Sequence, residues 1–281
     1  MGFVKNDVGL NNKMTLYKAT LLTLGILCSV AAWGQTDTTR RDVPPGTAKP
    51  QVRSFRAQRA VLFRFNYTLC FPGGDLEKRF GAFSNLGGGV GIKLENGWDF
   101  RAEGSFLFTR NVVEFSMLDS LRDSEGYIVD QTGNQYNPNL SMRGFTVSAH
   151  IGRLFPIDRN QNSGIFVSIG GGFIQHKIHL QNVSGFAPQL QGDYLKGYDR
   201  LTNGYMLNEF VGYQYMSMKK MINFYVGFEF MQGTTQYARN WNYDLRGTDN
   251  STRSDNYWGI RFGWILPIYG ANKGEEEFIF R

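Results

Sequence analysis

A chain of 281 residues with 42% hydrophobic and 15% aromatic residues is long enough for one barrel or for one to two soluble domains. Its 34 glycines and 23 phenylalanines against 8 prolines suit strands and turns better than helices. The formal charge is +6; residues 1–34 hold Lys5, Lys13, Lys18 and Asp7, a contribution of 3 − 1 = +2, so the remainder carries +4 and, with no Lys/Arg-rich helix, is not expected to take a nucleic-acid partner.

The N-terminal stretch reads as a leader. Ala19 to Ala32 is an apolar run of 14 residues preceded by Lys13 and Lys18, the length of a signal-peptide core and too short to cross a bilayer. Small residues at Ala32 and Gly34 place cleavage after Gly34, so residues 1–34 are the expected signal peptide, and Met14 is an alternative start. Leu27 before Cys28 argues against a lipoprotein signal. Loss of Cys28 with the leader leaves Cys70 alone, a small packing residue with no internal disulfide open to it. No later stretch has the roughly 18 apolar residues of a transmembrane helix. Residues 35–55, with Pro44, Pro45 and Pro50, read as a flexible periplasmic linker.

From there the chain alternates with a period of two, the mark of strands with unlike faces. The first strand is expected over Ala57–Phe71, stopped by Pro72-Gly73-Gly74, and the second over Phe83–Leu94. Glu95-Asn96-Gly97 is a tight turn, because Asn-Gly tolerates positive φ. The third strand is the clearest. Trp98, Phe100, Phe106 and Phe108 fall on one face, Asp99, Arg101 and Glu103 on the other, and the pattern runs to about Phe115. Further strands follow over Ser141–Phe155, Ile165–Leu180, Gly204–Met216, Ile222–Thr234 and Asn256–Tyr269.

That gives eight strands, with long polar connections at 72–82, 116–139, 181–203 and 235–255 and short ones at 95–97, 156–164 and 217–221. Even strand number, alternating loop length and charges opposite aromatics fit an antiparallel transmembrane β-barrel over residues 56–270, with the aromatics on lipid and the charges in the lumen. Ten strands is the alternative, because Tyr127-Ile128-Val129 could extend a hairpin.

Turning the aromatic faces to lipid puts Arg64, Arg101, Glu103, Glu229 and Arg261 inside. The first and last strands meet on closure, which brings Arg64 near Arg261, with Glu229 one strand further on. Glu209 is ambiguous. Its charge argues for the lumen, but its neighbours Leu207, Val211 and Tyr213 share an apolar face, and a bulge would reconcile the two. The charge argument places it inside. Three arginines and three glutamates at similar depth can fill an eight-stranded lumen as a salt-bridged core, or line a narrow ion path.

At this point Ala57 to Tyr269 resembles the small outer-membrane barrels of the OmpA, OmpX and OmpW kind. The resemblance implies the outer membrane of a Gram-negative bacterium, contact with membrane lipid and lipopolysaccharide, no cofactor, and a lumen filled by pairs such as Arg64, Glu103, Glu229 and Arg261. Only Gly270 to Arg281 follows, so a peptidoglycan-binding domain of the OmpA kind is not expected; residues 271–281 read as a short periplasmic tail whose Phe278-Ile279-Phe280 is open to three readings, an assembly signal, a strand for a periplasmic or outer-membrane protein partner, or a frayed end. Some barrels of this kind are hydrolases or transferases and need a His beside a Ser or an acid. His150 near Ser148 reads instead as a hydrogen-bonded interior residue, and His176 and His179 face opposite sides of one strand, a poor metal pair. A non-enzymatic structural, adhesive or accessory subunit acting through its long loops is therefore expected, with an OmpW-like passage for small or apolar solutes as the rival.

Overall fold

The computed structural model describes residues 58–129, 132–136, 138–157, 160–181, 190, 192–217 and 222–269; the expected leader, linker and tail lie outside them. Eight antiparallel strands close into a barrel: β1 (Ala60–Gly74), β2 (Phe83–Lys93), β3 (Trp98–Thr109), β6 (Asn139–Pro156), β7 (Gly164–Gln181), β8 (Thr202–Met216), β9 (Asn223–Tyr237) and β10 (Thr252–Tyr269). The two others, β4 (Ile128–Val129) and β5 (Gln135–Tyr136), form a small hairpin outside the barrel wall. The Tyr127-Ile128-Val129 segment thus makes a hairpin without raising the barrel's strand number.

Every barrel strand pairs with its neighbours in sequence, and β1 closes on β10. The Leu94–Trp98 turn is tight: the Leu94 N–H donates to the Trp98 carbonyl at 2.7 Å, and Gly97 takes φ +85°. The short turns and the strand ends at Ala60 and Tyr269 share one end of the barrel, and the long connections share the other.

Polarity is inverted relative to a soluble barrel. Outward positions are apolar and exposed, as at Phe65 (55%), Phe228 (52%) and Phe262 (56%), while Arg64, Asn66, Thr68, Arg101, Glu103, Glu229 and Arg261 are buried inside. A soluble protein rarely exposes a contiguous apolar surface of this extent; a bilayer is the solvent that suits it. No described helix is long and apolar enough to cross a membrane.

Element ends depart from the sequence reading where pairing overrides local signals. β1 runs on through Pro72 to Gly74 because β10 still pairs with it there, whereas β2 ends opposite Cys70. Proline's missing N–H is tolerated on such a free edge. β3 stops at Thr109 instead of Phe115, and the following segment turns inward: Val112 bridges to Phe80, and a 3₁₀ turn over Ser116–Leu121 buries Met117 and Leu118. β10 starts at Thr252, four residues early, held by β9.

Candidate functional site

The interior is built in three layers, two apolar ones with a charged one between them. At the end of the short turns, Leu62, Leu154, Phe166, Phe210, Tyr225 and Ile265 pack into an apolar layer. At the other end Leu76, Phe80, Leu107, Met117, Leu118, Ile174 and Met231 pack into a larger one, partly supplied by the long loops. Ionised groups lie between. On β1 Arg64 stands between Leu62 and Cys70, on β9 Glu229 between Tyr225 and Met231, and on β10 Arg261 between Ile265 and Tyr257.

The charged layer is one continuous chain. Arg64 donates to Asp99 at 2.7 Å, and Arg101 reaches Asp99 at 3.3 Å and Glu103 at 2.8 Å. Arg261 donates to Glu103 at 3.0 Å and grips Glu229 with Nε at 2.8 Å and Nη2 at 2.6 Å. Three guanidiniums thus meet three carboxylates, Asp99, Glu103 and Glu229, and the chain is formally neutral. Charge-assisted and bidentate bonds of this kind are the strong ones. Neutral donors complete it: Thr68 and Tyr257 donate to Glu229 at 2.8 and 3.2 Å, Asn208 also donates to it, and Arg101 donates to Ser168 at 2.8 Å.

The lower apolar layer is the floor of this chain. The Phe166 ring lies 5.6 Å from the Arg64 guanidinium and 5.3 Å from that of Arg101, and the Phe210 ring lies 6.0 Å from that of Arg261. Cation–π contact spreads the cost of confining three cations in a narrow lumen.

Five of the six charges expected inside, Arg64, Arg101, Glu103, Glu229 and Arg261, line the interior and are joined, directly or through Asp99. Glu209 does not. Its strand alternates without a bulge, Met206, Asn208, Phe210 and Gln214 all being buried, so Glu209 takes the outward face between Tyr205 and Tyr213 and is half-buried there. Arg64 does not neighbour Arg261 either. The register sets Thr68 opposite Arg261 and Arg64 opposite Ile265, so Arg64 sits two inward positions nearer the short turns and takes Asp99 as its partner. Strands of a closed barrel are staggered by its shear, and equal distance from a strand end does not mean equal depth. Asp99 belongs to the charged face of β3, and its place beside the turn hides how close that stagger brings it to Arg64.

His150 is an interior residue. Both Ser148 Oγ (2.8 Å) and Glu103 Oε2 (3.4 Å) approach the same nitrogen, Nε2, while Nδ1 has no hydrogen-bond partner among the described residues. A nucleophile relay needs the two ring nitrogens to bridge hydroxyl and acid; here they compete for one. The ring is seated over Gly170, where an added Cβ would come within 2.3 Å of it, so the glycine makes room for the imidazole across the neighbouring strand. His176 and His179 take opposite faces of β7, and His176 Nε2 donates to the Asp255 carboxylate at 2.9 Å in the upper interior. Among the described residues no group of three or more His, Cys, Asp or Glu is arranged to hold a metal.

A second polar network braces the loop end. Arg200 bridges Glu114 (2.9 Å) and Asp244 (2.7 Å), Arg79 donates to Thr202 at 2.8 Å, and Arg239 grips Asp199. Burial lowers the Arg79 pKa, though the carboxylates of Asp255 and Glu114 act against that. These ties join the β3–β6, β7–β8 and β9–β10 connections into one cap.

No family model and no curated protein matches the chain. Among solved structures it is similar to neisserial surface protein A, at 9% identity over 73% of this chain and 96% of that one with a TM-score of 0.40. It is similar to Ail, the attachment invasion locus protein of Yersinia pestis in complex with the heparin analogue sucrose octasulfate, at 10% identity over 74% and 99% with a TM-score of 0.38. The outer membrane protein OprG from Pseudomonas aeruginosa matches at 10% identity over 77% and 99%, with a TM-score of 0.32. At that degree of likeness the barrel stands on its own strand pairing.

Proposed function

We propose that this chain is a barrel of the Gram-negative outer membrane with a sealed interior, acting through its loop cap as a structural, adhesive or accessory subunit. The observation that carries this reading is the stacking of two apolar layers on a formally neutral chain of six paired charges. Water and ions have to pass all three in series, and an eight-stranded lumen is only wide enough to be filled by side chains. The membrane belt supports the compartment, and the expected leader over residues 1–34 supplies the export route. Tyr194 (61% exposed), Trp241 (50%) and Leu245 (57%) on the braced cap offer large apolar contacts to the exterior. The tail at 271–281 is a candidate strand for a periplasmic or outer-membrane partner. Single-channel recording on the purified barrel in planar bilayers tests the reading: a silent membrane is expected, and a steady conductance would transfer the function to solute passage.

A further inference from the structure

The outer wall carries a feature that the sealed interior does not use. Where β3 ends and β6 begins, at the loop end of the barrel, a groove of about 660 Å³ opens on the exterior. Phe106 and Phe108, stacked at 5.9 Å, and Phe115 give it an apolar side, and all three are exposed. Arg110 and Arg143 also line it, both exposed. Among the described residues neither guanidinium has an ion-pair partner, and no carboxylate lines the groove.

Position decides what such a groove can hold. On the outward face Phe106 stands opposite Phe145, and one step nearer the loops Phe108 stands opposite Arg143, which in turn stands opposite Lys177 of β7. Lys177 is only loosely held by Asp199, at 3.9 Å. The cations therefore begin where the apolar belt ends, at the depth of lipid headgroups, with an aromatic wall directly below for acyl chains. Guanidinium forks bind phosphate oxygens in pairs, and an unpaired arginine beside apolar surface is suited to a partly desolvated anion.

We infer that this groove seats the phosphorylated head of an outer-leaflet glycolipid, the lipid part of lipopolysaccharide. Arg110 and Arg143 hold the phosphates, and the Phe106–Phe108 wall packs on the acyl chains. The inference rests on the outer-membrane placement proposed above. It names one seat on one seam, as opposed to general contact with lipid around the belt.

Native mass spectrometry of the full chain released from nanodiscs tests it. The discs carry phosphatidylcholine with either bisphosphorylated lipid A or its dephosphorylated form. Retention of the bisphosphorylated lipid is expected, with the dephosphorylated form lost. The Arg110→Gln/Arg143→Gln variant should reduce retention roughly tenfold or more, the scale of losing charge-assisted contacts to phosphate. Arg246→Gln, at an exposed loop arginine away from the groove, should leave retention unchanged. Equal retention of both lipids, or no effect of the double change, would overturn the inference. Displacement by millimolar inorganic phosphate would also overturn it, by marking a free-anion site. Heat-modifiable gel mobility confirms that each variant is folded, and a single Arg143→Gln variant serves if the double one is not. Cell fractionation reports separately on the compartment. A chain found outside the outer membrane would remove the proposed function and this seat together, whereas an outer-membrane chain without phosphate-dependent retention loses only the seat.

Discussion

Glu229 is the most heavily bonded carboxylate of the interior, accepting from Arg261, Thr68, Asn208 and Tyr257 and showing no exposure. Removing it leaves Arg261 with Glu103 as its one carboxylate and takes the acceptor from three neutral donors. Breaking a buried pair by deleting one partner costs about 3–5 kcal/mol, against about 1 kcal/mol or less for a solvated pair. Glu229→Ala and Arg261→Ala should each destabilise the barrel on the buried scale, and the double variant should cost clearly less than their sum. Urea unfolding in lipid vesicles reads this, and small additive effects would mean a wet lumen. Glu209 gives the opposite sign. It is a carboxylate midway along β8 on the lipid side with no partner among the described residues. A basic residue on that face costs roughly 2–4 kcal/mol and an acid less, so Glu209→Leu should stabilise the barrel by about 1–2 kcal/mol in the same experiment. A loss of stability would show that the carboxylate has a bonding role. At this scale the sequence tells that a residue is charged but not what surrounds it. Glu209 is placed by strict alternation along its strand, a simpler rule than the cost of its charge.

At the scale of elements, period-two alternation made all eight strands legible, because in a barrel each strand has one lipid face and one lumen face. Register was not legible. Which rungs meet depends on shear, a property of the closed sheet, and this is why Arg64 takes Asp99 and not the neighbourhood of Arg261. Strand ends were also hidden where a neighbour extends pairing past a local stop, as β10 does for Pro72. The β1–β2 connection is tied to β10 by Asp75, whose carboxylate accepts from Lys78 Nζ at 2.8 Å and from the Ser254 N–H at 2.9 Å. Partial burial opposes its ionisation, but the Lys78 and Ser254 bonds outweigh that and hold the Asp75 carboxyl below the ordinary aspartate range. A depressed folded value means the tie contributes above the unfolded aspartate pKa of about 3.9. The contribution fades as pH falls through the lower folded value. Hydrogen exchange at the Asp75 amide, which donates to the Ser254 carbonyl at 2.8 Å, should therefore show protection that is steady near neutrality and declines as pH falls below the unfolded aspartate value. Asp75→Asn should lower protection at neutral pH and flatten that dependence; an unchanged profile would assign the tie to backbone pairing alone.

At the scale of the whole molecule, the layers follow from what each part of the chain can bury. The long connections look polar in sequence, yet Leu76, Phe80, Val112, Met117 and Leu118 fold from them into the barrel mouth. A loop residue's fate depends on whether a hydrophobic opening lies within reach, and composition alone does not report that. Three barriers in series conduct no better than the tightest one. Deleting residues 116–136 should remove part of the upper layer, including Met117, Leu118 and Ile128, and lower thermal stability without opening the barrel. The charge layer and its Phe166–Phe210 floor remain in place beneath it. Phe166→Ala with Phe210→Ala should likewise destabilise, at about 3–5 kcal/mol per buried ring, while the upper layer keeps the lumen shut. Only the combined variant should pass ions, because only there is the charge layer wetted from both ends, so that its six charges exchange partners for water. Single-channel recording of the three variants orders the barriers. Conductance from the loop deletion alone would mean that the Arg64-to-Glu229 chain already holds continuous water, and that the cap is the gate of a narrow pore.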